Sequence, residues 1–261
     1  MKREMMMSKG MWVLVVALML AMAVAPAAAA DTTVLPADAR LVQASPADPQ
    51  VVYAVAGTQV FRSEDKGWSW EQVGETPSRI KSLALARHDS QRLYAGTESA
   101  GLWRSLDGGR TWYESNTGLG VGPGAVMEVT AITVDPEDDA ILYAATGVWL
   151  GTSRARLTPQ EIAFSLDGGA NWLPLAYAGL GDRPVARLIP VEGLPFTLLA
   201  FDDQGNSTMH RADRLALLGV ASEQQESPER RNAASEALNM LTQPVPGPTS
   251  YPAWFGMGYF W

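Results

Sequence analysis

From Arg40 to Arg211 the chain breaks into short runs in which apolar side chains alternate with polar or small ones. Clusters rich in Gly, Pro, Asp and Ser separate the runs. A period of two with this punctuation predicts β-strands. In the first group they fall at Arg40–Ala44, Val51–Ala56, Gln59–Ser63 and Trp70–Gly74. The second group holds Ile80–Ala86, Arg92–Thr97, Gly101–Ser105 and Thr111–Ser115. The third holds Glu128–Val134, Ile141–Thr146, Glu161–Ser165 and Asn171–Ala176, and a fourth holds Val185–Pro190, Phe196–Asp202 and Ser207–Arg211. Four strands recurring at this spacing predict propeller blades, because one small sheet cannot bury both faces and must stack on neighbours. The expected fold is all-β: a small β-propeller of about four four-stranded blades over residues 31–220, a compact closed ring or, alternatively, a partial propeller completed by another chain. A C-terminal helical and aromatic tail occupies residues 221–261.

The turns repeat as well. Ser63, Asp65, Gly67 and Trp70 share the pattern S-x-D-x-G-x-x-W with Ser105, Asp107, Gly109 and Trp112, and again with Ser165, Asp167, Gly169 and Trp172. Upstream of each pattern stands a Tyr-Ala pair: Tyr53-Ala54, Tyr94-Ala95 and Tyr143-Ala144. Leu198-Leu199-Ala200-Phe201 is a degenerate fourth copy with no such motif behind it. An Asp carboxylate can accept backbone N–H groups across a tight turn, Gly supplies positive φ, and the Trp opens the next strand where its ring packs between sheets.

The three motifs resemble the Asp-box, or BNR repeat, of the sialidase-like propeller superfamily, over roughly residues 39–215. The resemblance implies that Asp65, Asp107 and Asp167 stabilise turns away from any active centre. The repeat type is also similar to propellers of photosystem II assembly and stability factors and of the sortilin ectodomain, which are binding proteins. Sialidases themselves use an arginine triad with a Tyr–Glu pair and carry an Arg-Ile-Pro-type motif ahead of the first box. None precedes Ser63, and Arg187-Leu188-Ile189-Pro190 stands in the wrong blade. Xyloglucanase-like members place two carboxylates across a cleft between two large propellers, which this length does not accommodate.

Both ends depart from the repeats. Lys2, Arg3 and Lys9 precede an apolar run from Met11 to Ala25, followed by Pro26 and Ala28-Ala29-Ala30. That order predicts a secretory signal peptide over residues 1–30 and an exported chain, periplasmic, cell-surface or extracellular. Near the other end, Pro228 and the spacing of Ala234, Ala237, Leu238 and Leu241 predict a helix over Glu229–Leu241. Pro244, Pro246 and Pro248 then form a linker. Six aromatic residues fall among the last eleven, with Trp254, Phe255, Tyr259, Phe260 and Trp261 forming a candidate docking tail. Such a tail suits the propeller's own exposed edge, a partner or a membrane interface.

Composition narrows the chemistry. The 261 residues include no cysteine, which excludes disulfides, thiolate metal sites and a cysteine nucleophile. A net charge of -8 argues against nucleic acid. His88 and His210 are too sparse for a metal centre, the acidic turn Asp135–Asp139 lacks calcium-loop spacing, and no cofactor is expected. Ligands are expected on the loops joining second to third strands and blade to blade. Those loops hold Arg79, Glu98, Trp149, Arg154, Arg156, Tyr177 and Arg183. Aromatic and Arg side chains together suit an acidic group or a protein carboxylate cluster. The expected function is therefore a noncatalytic exported propeller that binds a protein partner or an envelope complex. The alternative is a sialidase-like glycoside hydrolase or carbohydrate-binding protein, with a glycan as ligand.

Overall fold

The computed structural model describes residues 34–120, 126–150, 156–177, 183–194, 196–212 and 228–242. The segment 1–30 read as a signal peptide, Arg154 and the aromatic tail with Trp254, Phe255, Tyr259, Phe260 and Trp261 lie outside the described residues.

Among the described residues fifteen strands form four antiparallel meanders. The first sheet is β1 (Arg40–Ala44), β2 (Val52–Ala56), β3 (Gln59–Ser63) and β4 (Glu71–Glu75). The second is β5 (Ile80–Leu85), β6 (Leu93–Thr97), β7 (Leu102–Ser105) and β8 (Tyr113–Glu114). The third is β9 (Val126–Val134), β10 (Leu142–Leu150), β11 (Arg156–Ser165) and β12 (Leu173–Tyr177), and the fourth is β13 (Arg187–Pro190), β14 (Thr197–Phe201) and β15 (Ser207–Arg211). Among the described residues one helix, α1 (Pro228–Thr242), follows. The chain is thus an all-β propeller with a C-terminal helix.

Strand alternation decides which way each side chain faces. In β2, Tyr53 and Val55 join the second sheet's Leu83, Leu93 and Ala95, while Ala54 and Ala56 face the other way with Phe61 and Trp70. Tyr94 and Leu102 face the third sheet's Val129, Leu142 and Ala144. Tyr143, Phe164 and Leu175 face the fourth sheet's Leu188, Leu198 and Ala200, and α1 adds Ala234 and Ala237 to that layer. Among the described residues no apolar layer joins the fourth sheet to the first. The described core is an arc of stacked sheets. Each layer is built from the two faces of neighbouring sheets, so closure needs a fourth layer that these residues do not form.

The three repeated turns share one hydrogen-bond pattern. The Ser63 hydroxyl donates to Asp65 Oδ1 at 2.7 Å and accepts the Gly67 N–H at 2.8 Å. Asp65 also accepts the Ser69 N–H at 2.8 Å and the Ser69 hydroxyl at 2.6 Å. Thr111 does the same at Asp107, and the Asn171 amide does so at Asp167. A fourth Asp adopts this arrangement without the motif. Asp202 accepts the Asn206 N–H at 2.9 Å and the Asn206 side-chain amide at 2.8 Å. That turn joins β14 to β15, a second-to-third strand connection, whereas the three motifs join third to fourth strands. The box Trp residues differ in depth: Trp172 and Trp70 are buried, and Trp112 is only half-buried.

Candidate functional site

A meander places the three motif turns at one end of each sheet and the second-to-third hairpins at the other. At the hairpin end, the third sheet projects furthest. Its β10 and β11 pair through Val148↔Thr158, Trp149↔Leu157 and Leu150↔Arg156. The segment read from sequence as a loop is therefore mostly strand, and Trp149 and Arg156 lie on a ladder. Register shifts between Ala145 and Gly147 interrupt the alternation, which is why the run looked as if it ended at Thr146.

This extension builds a small charged site. Glu128 on β9 pairs with Gly147 on β10, two residues from Trp149. The Trp149 Nε1–H donates to Glu128 Oε2 at 2.9 Å. Lys81 Nζ, on β5 of the preceding sheet, lies 3.6 Å from Glu128 Oε1. The Glu128 side chain is only 4% exposed, while Lys81 is open to solvent. Burial pushes the Glu128 carboxyl up from the usual range and the neighbouring Glu98 charge adds to the rise, against the pull of Lys81 and the indole N–H. Glu98 follows β6, half-exposed, and its N–H is held by the Arg79 carbonyl at 2.8 Å. The hydroxyls of Ser78 and Ser99, 2.7 Å apart, tie the same two loops together.

Among the residues singled out from sequence, the structure brings Glu98 and Trp149 to Glu128, with the backbone of Arg79 supporting Glu98. The Arg79 side chain is exposed. Arg183 sits elsewhere, pairing with Asp203 at 3.1 Å and approaching Asp202 at 4.0 Å beside the fourth sheet. Tyr177 ends β12. Glu128 and Lys81 escaped sequence reading. The available signal was one acidic residue inside the apolar run Val126-Met127-Glu128-Val129. Burial that raises one carboxyl, with a second and half-exposed carboxyl nearby, is an arrangement that general acids use to hold a proton.

The acidic turn has local uses for its carboxylates. Asp135 accepts the Tyr143 hydroxyl at 3.1 Å, Asp138 accepts the Ala140 N–H, and Asp139 accepts the N–H groups of Arg87 and His88 from the second sheet. Among the described residues no group of three His, Asp or Glu side chains is placed to hold a metal ion, and no helix is long and apolar enough to cross a membrane.

No protein-family model matches the chain. It is similar to a xyloglucanase of a Paenibacillus species, 29% identical over 178 residues, which is 57% of this chain and 17% of that protein. It is also similar to a xyloglucanase of Acetivibrio thermocellus, 30% identical over 162 residues, covering 49% of this chain and 18% of that one. In three dimensions it resembles an ancestral GH74 enzyme with a TM-score of 0.53 and 20% identity, over 67% of this chain and 23% of the other. The chain therefore spans less than a fifth of the length of these curated relatives. The structural likeness establishes the propeller fold. The two sequence relatives carry the name of a glycan-cleaving enzyme, and they overturn the expectation of a noncatalytic scaffold for a protein partner.

Proposed function

We propose that this chain is an exported, glycan-directed propeller of the glycoside-hydrolase kind, acting on a xyloglucan-type polysaccharide. The observation that carries the reading is Glu128: a buried carboxyl, raised in pKa, at the hairpin end of the projecting third sheet. In this reading Glu128 donates the proton to the leaving oxygen, and Glu98 is the second carboxyl of the pair. Trp149 fixes the Glu128 carboxyl through its N–H. Its half-exposed ring offers a flat apolar surface to a sugar. Arg79, Arg154, Arg156, Tyr177 and Arg183 remain candidate contacts around the hairpin end. The S-x-D-x-G-x-x-W turns belong, in this reading, to Asp-box repeats that hold the sheets and take no part in the chemistry. The two xyloglucanase relatives support the substrate class.

The test is release of reducing sugar from xyloglucan by the full-length chain and its Glu128→Gln and Glu98→Gln variants. Each variant should lose about 100-fold or more in rate while melting as a folded protein. Turnover by Glu128→Gln equal to that of the parent chain rejects the assignment. Absence of turnover by the parent on any xyloglucan preparation rejects the hydrolytic reading.

A further inference from the structure

The fourth sheet ends the arc with an apolar row facing outward. Ile189 pairs with Leu199 and Leu199 with Met209, so the three side chains stand side by side on one face. The opposite face, with Leu188, Leu198 and Ala200, is buried against the third sheet. Met209 is 62% exposed and Ile189 39%, and Leu199 is only partly buried. The next row holds Phe201, with the Arg187 guanidinium 4.7 Å above its ring. Among the described residues this sheet also has three strands where the others have four. Among the described residues β15 pairs only with β14 and is exposed along most of its length. The corresponding strand of the first sheet, β3, is almost wholly buried.

The other end of the arc is already covered by the chain itself. There the segment before β1 lays Leu35 and Ala39 against Ala54, Ala56, Phe61 and Trp70. The C-terminal side has a segment suited to the same task. Helix α1 docks on the layer between the third and fourth sheets and ends at Thr242. Residues 243–261 follow it, a reach of about 60 Å when extended. They contain no charged side chain and carry Tyr251, Trp254, Phe255, Tyr259, Phe260 and Trp261. Each such ring has on the order of 150–250 Å² of surface to withdraw from water.

We propose that the outward face of the fourth sheet, centred on Ile189, Leu199 and Met209, is the docking surface for the chain's own aromatic segment, residues 249–261. The proposal is independent of the hydrolytic reading, since the face lies away from Glu128. It is tested by thermal melting and sedimentation of the full chain and of a chain ending at Pro248, each with and without Met209→Asp or Ile189→Asp. Truncation should lower the midpoint by about 5 °C or more. Either Asp substitution should lower it comparably in the full chain and scarcely at all in the truncated one, with every form monomeric. Equal effects of the substitutions in both lengths, or an unchanged midpoint on truncation, overturn the proposal. A full-chain dimer that Met209→Asp dissociates with or without the tail makes a second copy the occupant and also overturns it. Val42→Asp, at an exposed apolar site on the first sheet, is the control and should act alike in both lengths.

Discussion

The indole N–H of Trp149 donates to Glu128 Oε2 at 2.9 Å, joining neighbouring strands of the third sheet at the end where its hairpin projects. The bond favours the ionised carboxylate, and burial opposes it. Burial is the larger effect, so Glu128 holds its proton more tightly folded than unfolded. The stabilisation this gives is complete below the unfolded carboxyl value and is lost as pH rises through the folded one. Glu128→Gln keeps an acceptor for the indole and removes the titration. The variant's melting midpoint should gain on the parent's as pH is raised from about 4 to about 7. A constant difference across that range would show that burial does not control this carboxyl.

The opposite sign holds at the first motif turn. The Ser69 hydroxyl, its backbone N–H and the Ser63 hydroxyl hold the Asp65 carboxyl down to about 2. A group depressed by folding contributes stability above its unfolded value, and that contribution disappears as pH falls towards the folded one. Asp65→Asn should therefore flatten the acid limb of the melting curve between about pH 4 and pH 2. Its effect at neutral pH reports only the exchange of hydrogen-bond acceptors. Thermal melts of the two proteins across that acid range check the sign.

Much of the architecture was legible because the motif carries its own mechanism. Ser, Asp and Gly at fixed offsets specify a turn whose Ser and Asp hydrogen bonds all fall within seven residues, so local sequence suffices to find it. The bounds of β1, β3 and β15 follow from alternation alone. The continuation of β10 through Val148, Trp149 and Leu150 was hidden because shifts in register break the period of two. The Asp202 turn was hidden for another reason: Asn206 completes it without the Ser, Gly and Trp of the motif. The candidate site was least legible. Lys81, Glu98, Glu128 and Trp149 come from three strands and a loop in two sheets, and only stacking brings them together. Sequence could find Glu98 and Trp149 as loop residues, but not the buried carboxylate between them.

The half-burial of Trp112 separates it from its counterparts. Trp172 is fully buried and its Nε1–H donates to the Ser115 carbonyl of the preceding sheet at 2.8 Å. The Trp112 Nε1–H bonds inside its own turn, to the Gly109 carbonyl at 2.9 Å. Trp172→Ala removes core volume and leaves a buried carbonyl unpaired, and should cost about 3–5 kcal/mol. Trp112→Ala should cost clearly less. Denaturant unfolding of both variants measures the order, and equal losses would contradict the difference in depth.

Sheet-to-sheet contact is tight where the first sheet meets the second motif turn, and a glycine makes the approach possible. A Cβ on Gly74 of β4 would stand 2.2 Å from the Gly109 carbonyl oxygen and 3.0 Å from that of Arg110. Both obstacles are backbone, and the turn around them is pinned by the Ser105 and Asp107 bonds, so neither can yield locally. Gly74→Ala must therefore part the two sheets, at about 1–3 kcal/mol or more. Gly57 provides the contrast. Its φ of +63° is unfavourable for alanine, but nothing lies within 4 Å of the added carbon. Gly57→Ala should cost about 1–2 kcal/mol of backbone strain and leave the junction intact. Amide exchange distinguishes the two mechanisms. In Gly74→Ala, protection should fall on both sides of the junction, at Gly109 and Ser115 as well as along β4. In Gly57→Ala it should fall only beside the β2–β3 turn. Loss confined to β4 in the first variant would mean that the sheets are held apart by something other than this glycine's missing side chain.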